Sequence, residues 1–438
     1  MNVLIISTPA TGHLNPLLAI ARMLIADGHR VDVLCGTCFR GRIEQAGAHF
    51  YALPGSADFD GRDILSVVPE LKAVEPGLDW LRIALARIFI DRIRDQHAGL
   101  LNALRATSAD IVIGDDMFFG VLPLLLGPRA GELPVLLCGT SVLHSARDDG
   151  APLFMGLLPA TTQEELEAHA RIAQEYSVCV DQPTRHRLNR LLAEMGLGPV
   201  SVPLFESVVH LADTYLQLSV PGFEFPRAFP PSVRFVGALP IIPDQAPLPA
   251  WADDLDGSRK VVLVTQGTVA NHDLDLLIGP TLAALGDEDD ILVVATMGGR
   301  PVEALAGTVP CNARIAEYLP FEWLLPRIDA MVTNGGYGSV NQALSCGVPL
   351  VAAGLTEDKA DVNARIAWSG AGIDLRTNTP ESKAIRRAVR TVLDEPEHRR
   401  AARRLGAEFA TYDTQAEILA LVRSYAPAGR GGLRITAA

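Results

Sequence analysis

Three short stretches carry side chains able to do chemistry. The first is TPATGHLNP, a loop-like run in which His13 stands between Gly12 and Leu14. Imidazole exchanges a proton near neutral pH, which suits it to general-base work. A histidine in such a loop also serves as a plain hydrogen-bonding or solvated residue. The second is Asp115-Asp116, which closes the apolar run Ile111–Gly114. A carboxylate on one ring nitrogen stabilises the imidazolium formed when the other nitrogen takes a proton. Either aspartate is a candidate for orienting His13, and the one left over would cap the next helix. The third is NGGYGSVNQAL, Asn334–Leu344. Its glycines permit positive φ and close backbone approach. With a helix starting at Ser339, the amides of Gly338, Ser339 and Val340 and the Ser339 hydroxyl would face an anion. A simple turn is the competing reading of a glycine-rich run taken alone.

These stretches need strands to hold them, and the sequence supplies strands in regular alternation with helices. Val3–Ser7 is a continuous apolar run, as a buried parallel strand requires. The amphipathic Leu17–Ala26 follows, stopped by Asp27-Gly28-His29, and Arg30–Cys35 reads as the next strand. Helix-like Gly41–Ala46 and strands at Phe50–Leu53, Ile111–Gly114 and Pro134–Cys138 continue the pattern. The segment from about Ala151 to Leu218 reads as helical and less regular. Strand-like Arg234–Val236 then precedes a proline-rich linker, placed at 239–258. The alternation restarts with strands at Lys260–Thr265, Ile291–Thr296, Ala313–Ala316, Ala330–Thr333 and Leu350–Ala353. Helices are expected at Leu274–Gly286, Trp323–Arg327, Ser382–Leu393 and Glu397–Leu421, the last packing back on the first domain. This gives an α/β protein of two doubly wound domains: 1–238, the 239–258 linker, 259–425, and a tail at 426–438. Ligands of such sheets bind beyond the carboxyl ends of the strands, which makes TPATGHLNP, GDDMFF, TQGTVAN and TNGGYGS the candidate loops.

Composition bounds the function. The chain has 438 residues, 48% hydrophobic and 20% charged, with a net charge of −13. That supports two or three packed domains and argues against nucleic acid or an anionic membrane as the main partner. No apolar run reaches a membrane span, and MNVLIIS lacks the basic start of a signal peptide; a cytoplasmic protein is expected. Cys35 and Cys38 form a lone C-x-x-C without a second pair, so the six cysteines read as free thiols rather than a redox pair or zinc site. No ligand cluster with metal-site spacing stands in the sequence.

The order N-G-G-x-G-S-x-x-Q-A-L-x-x-G-V-P-L-V, followed by GLTEDKADVNA, resembles the nucleotide-sugar glycosyltransferases of the UDP-glycosyltransferase-like superfamily, which have the GT-B architecture. GHLNPLLAIARMLIADGHRV, FVGALP and YLPFEWLLPRIDAMVTNGG are similar to further segments of that family, and the resemblance is weakest over 55–215. It implies two Rossmann-like domains facing each other across a cleft. It places the diphosphate at Gly336, Gly338 and Ser339, and the base on Tyr318, where the family usually has Trp, with backbone bonds from Leu319. It assigns donor contacts to Gly267 and Thr268 and sugar hydroxyls to Asp358, with Asn363 in the helix beyond. It also implies His13 as the base that deprotonates the acceptor, with an aspartate behind it; Asp115 suits the family spacing better than Asp116. The implied reaction is a single inverting displacement at the anomeric carbon without metal or other cofactor.

Three positions depart from the family pattern. Asn334 replaces a His that can carry charge. Gln342 replaces a Glu that accepts from both ribose hydroxyls, which leaves room for a deoxyribose and so for dTDP beside UDP. Lys359 replaces a Gln that contacts the hexose, a hint toward a deoxyhexose such as rhamnose. Phe118, Phe119, Phe154, Met155 and Tyr176 are candidates for a hydrophobic acceptor pocket, with core packing as the other reading. The expected partners are a nucleotide sugar and a hydrophobic natural product or phenolic small molecule, with a homodimer also open. The alternatives are a nucleotide-sugar 2-epimerase and a non-catalytic binding partner of the same fold.

Overall fold

The computed structural model describes residues 1–129, 133–240, 248–267, 273–305 and 307–426. Thr268, residues 241–247 of the 239–258 linker and the tail beyond 426 lie outside the described residues. Two parallel sheets organise the chain. The first has seven strands in the order β3-β2-β1-β4-β5-β6-β7: β1 Asn2–Ile6, β2 Arg30–Cys35, β3 His49–Ala52, β4 Ile111–Asp115, β5 Val135–Gly139, β6 Thr214–Gln217 and β7 Val233–Phe235. The second has six, in the order β10-β9-β8-β11-β12-β13: β8 Lys260–Thr265, β9 Ile291–Thr296, β10 Ala313–Ala316, β11 Ala330–Thr333, β12 Leu350–Ala352 and β13 Gly372–Asp374. All pairings are parallel. The apolar runs VLII and VVLV are buried because helices cover both faces of each sheet.

Strand order decides where a site can form. In the first sheet the chain reverses its direction of travel between β1 and β4, which lie side by side in the register Ile5↔Ile113 and Ile6↔Gly114. In the second it reverses between β8 and β11, with Thr265 opposite Thr333. At such a reversal the following connections run to opposite faces and leave a crevice at the strand ends. His13 follows β1 and Asp115 ends β4; Gly267 follows β8 and Asn334 follows β11.

Several elements differ from the sequence reading. The first helix spans Thr11–Ala26 with Ala10 as N-cap, so His13 sits in a first helical turn, not a loop. Pro16 lies inside this helix. Its missing amide would have paired with the carbonyl of Gly12, which is exposed and can be hydrated. Two strands went unread, β6 and β13: each is short, and β6 (TYLQ) carries polar residues that the core buries by hydrogen bonding. The expected Leu274–Gly286 helix is a short 3-10 turn, Leu274–Leu276, followed by a helix over Ile278–Leu285. The expected Glu397–Leu421 helix is two, Pro396–Phe409 and Thr414–Ser424, the second capped by the Asp413 side chain. Ile418, Leu419 and Val422 of that last helix lie in the same apolar cluster as Val3 and Ile5 of β1, and the Thr414 hydroxyl donates to the Val236 and Ala238 carbonyls.

Candidate active site

Burial forces the polar groups at the end of β4 to find partners within the protein, and they find them around His13. Asp115 is fully buried. Its Oδ2 accepts the Thr8 amide at 2.6 Å, and its Oδ1 accepts the Thr8 hydroxyl at 2.9 Å and the Met117 amide at 3.0 Å. His13 Nδ1 lies 3.2 Å from the same Oδ1 and 3.0 Å from Thr140 Oγ1. Asp116 is also fully buried, so it does not serve as an exposed helix cap. It accepts from Thr140 Oγ1 at 3.0 Å and from Tyr215 Oη at 2.8 Å, and His144 Nδ1 stands 3.2 Å from it. A carboxylate beside Nδ1 fixes the proton on that nitrogen and leaves Nε2 as a lone pair. Burial works against a charged His13, but Asp115 outweighs it, with smaller help from Asp116 and Asp358, and the imidazole pKa is raised. The same cluster holds the Asp116 carboxyl below its ordinary range despite burial, through His144, His13 and Tyr215.

Donor atoms of His13, Asp115 and Asp116 come within 4.8 Å of one another, a spacing that can hold a cation. The oxygens, however, are engaged by Thr8, Met117, Thr140 and Tyr215.

Across from this cluster, β11 feeds a helix over Tyr337–Ser345 whose N-cap is Gly336. Gly335 takes φ +92°, and a Cβ there would come 2.0 Å from the Asn363 side chain, so only glycine allows this approach. Among the described residues, the amides of Tyr337, Gly338 and Ser339 make no hydrogen bond. The Val340 amide does, to Gly336 O at 3.0 Å, so the unpaired donors begin and end one residue earlier than the sequence suggested. The physical reason is that the helix starts at Tyr337 rather than Ser339. The Ser339 hydroxyl donates to Gly336 O at 2.9 Å, which leaves its oxygen as an acceptor. Three unpaired amides at the start of a helix can donate hydrogen bonds to an anion.

The departing residues take specific places. Asn334 Nδ2 donates to Gln266 O at 2.8 Å, tying the loop after β11 to the loop after β8. Gln342 is half-buried on the same helix. Lys359 is buried and paired with Glu357, so it brings no uncompensated cation. Tyr318 is 53% exposed, while Leu319 is buried. Gly267 has φ +68° and open space where a side chain would stand. Asp358 reaches across the seam between the sheets and accepts from Ser141 Oγ at 2.5 Å; burial raises its pKa against the pull of Lys359 and Ser141. Asp361, three residues on, accepts the Phe154 and Gly156 amides at 2.7 and 2.8 Å.

Of the aromatic candidates for an acceptor pocket, Phe118 and Phe119 are fully buried in the first apolar cluster, Phe119 edge-on to Phe89 and Phe205. They are core residues, since a side chain on the turn leaving a central strand points into the layer beneath the helices. Phe154, Met155 and Tyr176 are half-buried, and Phe154 packs beside His144 and Phe205. Thr140, Ser141, His144 and Tyr215 were missed. The first three follow β5, and the rule that selected the other strand-end loops would have selected GTSVLH.

Residues 280–423 match the family described as Erythromycin biosynthesis protein CIII-like, C-terminal domain. The chain is 39% identical over 423 residues to 4'-demethylrebeccamycin synthase of Lentzea aerocolonigenes, covering 96% of this chain and 98% of that protein. It is 36% identical over 430 residues to UDP-glycosyltransferase 2 of Phaeomoniella chlamydospora, covering 94% and 93%. The calicheamicin glycosyltransferase CalG4 has the same fold, with a TM-score of 0.73 at 21% identity over 98% of this chain and 99% of that one. The two Rossmann-like sheets, the helix start with its unpaired amides and these similarities together show that the chain belongs to the UDP-glycosyltransferase-like family, as a natural-product type glycosyltransferase of GT-B architecture that uses a nucleotide sugar.

Proposed function

We propose that the protein moves a hexose from a nucleoside diphosphate sugar to a hydroxyl of a hydrophobic small molecule, with inversion, in the cytoplasm. The observation that carries this is the imidazole of His13, whose Nδ1 is engaged by Asp115 and Thr140 so that Nε2 is free to take the acceptor proton. The oxygen attacks the anomeric carbon, the carbon–oxygen bond to the diphosphate breaks, and the leaving charge falls on the Tyr337, Gly338 and Ser339 amides. Tyr318 would stack on the base, Leu319 meet its edge, and Gly267 with Thr268 approach the phosphates. Asp358 would exchange its bond to Ser141 for sugar hydroxyls. Gln342 in place of a carboxylate favours a donor with one ribose hydroxyl, dTDP rather than UDP, and a deoxyhexose remains the sugar we favour. The acceptor would lie against Phe154 and Met155. We divide the chain for this purpose at 1–238 and 259–425, and assign no metal or cofactor to the step.

The test is product formation together with nucleotide binding. His13→Ala should lower turnover by roughly 10²–10⁴-fold while dTDP and UDP still raise the melting temperature. Full activity in that variant would overturn the base assignment. Stabilisation by UDP well beyond that by dTDP would overturn the reading of Gln342.

A further inference from the structure

Asp115 is not the sole support of His13. Its Oδ1 already accepts two donors at 2.9 and 3.0 Å, and the imidazole is the most distant of its partners at 3.2 Å. Thr140 Oγ1 is nearer to Nδ1, at 3.0 Å. That hydroxyl has one proton, and it goes to Asp116 Oδ1, also at 3.0 Å. The Thr140 amide points at the same oxygen, 3.2 Å away, which fixes the residue from a second side. A hydroxyl that gives its only proton to a carboxylate can meet a ring nitrogen only as an acceptor. Nδ1 must then carry the hydrogen.

We infer that Thr140 and Asp116 form a second arm behind His13, in which Thr140 is a positioning residue that passes the field of a buried carboxylate to the imidazole. The arm does two things. It fixes the tautomer that leaves Nε2 bare, and it shares the positive charge gained when Nε2 takes a proton. Asp116 can do this because Tyr215 Oη donates to its other oxygen at 2.8 Å, with His144 Nδ1 3.2 Å from the same atom, so it is pinned without touching His13. The charged and titratable groups facing this unit include Asp115 and Asp116 from the end of β4, Asp358 from across the seam, Cys35 from the end of β2, and His144, Tyr215 and Cys138 from β5, its loop and β6. The inference rests on the reading of His13 as the base, but its test does not require the transfer reaction.

The full chain is labelled with ¹⁵N-histidine, and His13→Ala identifies the His13 signals. In the wild type the neutral ring should be protonated at Nδ1. Thr140→Val, which keeps the shape and removes the hydroxyl, should weaken the proton affinity of His13 about threefold or more and admit the Nε2-protonated form. Thr140→Ser should titrate as wild type, and Asp116→Asn should follow Thr140→Val. A Thr140→Val protein with the wild-type titration and tautomer would overturn the second arm. So would a Thr140→Ser protein perturbed as much as Thr140→Val, since that would mean packing, not the hydroxyl, is responsible. A wild type that transfers no sugar would instead sink the proposed function and leave this measurement standing.

Discussion

At the scale of single residues, His13 is a balance of opposed effects. It stands in the first turn of a helix, where the backbone dipole disfavours a cation, and burial acts in the same direction. The carboxylates of Asp115, Asp116 and Asp358 outweigh both, and the result is a raised pKa. A base must be neutral to accept a proton, so activity is lost as pH falls through the His13 value. The acid limb of kcat/KM should therefore lie above the ordinary histidine value of about 6.5. Asp115→Asn removes the largest raising influence, so it should move that limb to lower pH and lower turnover on the order of 10²-fold or more. A pH–rate profile of the two proteins checks the sign; a limb that moves upward contradicts the assignment. His13 and both aspartates were legible in the sequence because they sit at strand ends. Which aspartate touches the imidazole was suggested only by the resemblance, which favoured Asp115; the residues alone left it open, because only the packing tells which of two adjacent carboxylates faces His13.

At the scale of elements, the glycine-rich turn separates conformational need from ligand need. Gly335 takes φ +92° and its Cβ would collide with Asn363. Gly335→Ala should cost about 1–2 kcal/mol or more in stability and weaken nucleotide binding with it. Gly338 takes no positive φ, and a Cβ there meets nothing within 4 Å. Gly338→Ala should leave the melting temperature unchanged or raise it, by up to about 1 kcal/mol of added helix stability. The added methyl would stand before the free amides, so the stabilisation produced by dTDP or UDP should shrink. Thermal melts with and without nucleotide read both quantities; a Gly338→Ala protein with full nucleotide response would reduce the run to a turn. The strands β8, β9, β10 and β11 could be read from the sequence to the residue, because short runs rich in aliphatic and β-branched residues, flanked mostly by polar ones, leave little choice. The start of the Tyr337 helix could not, since two glycines precede its first polar residues and propensity gives no boundary there.

At the scale of the whole molecule, the two sheets are joined along one face of the helix Lys359–Trp368. Asp358, Asp361 and Arg365 recur at helical spacing and each meets a group from the first sheet's half. The deepest of these contacts is Glu224 with Arg365 and Arg227, all buried, with Arg365 lying 4.2 Å over the Phe225 ring. The Glu224–Arg365 contact was invisible in the sequence because its partners lie 141 residues apart and neither belongs to a quoted motif. The seam sets the distance between His13 and the helix start that would hold the diphosphate, so loosening it should affect stability and both substrates together. Glu224→Gln keeps the shape but leaves two guanidinium groups buried without a carboxylate, which should cost about 3–5 kcal/mol. Arg365→Met leaves Glu224 still paired with Arg227 and should cost less. Combining the two should recover part of the loss, because the uncompensated charge is reduced. The pH dependence follows from Glu224, whose carboxyl is held below its ordinary value by Arg365 and Arg227 in spite of burial. A depressed carboxylate contributes stability above its unfolded pKa, near 4.3, and loses it as pH falls through the lower folded value. Urea midpoints should therefore drop more steeply below about pH 4 in the wild type than in Glu224→Gln. Parallel curves for the two proteins would mean that the seam is held by its apolar contacts and not by this charge.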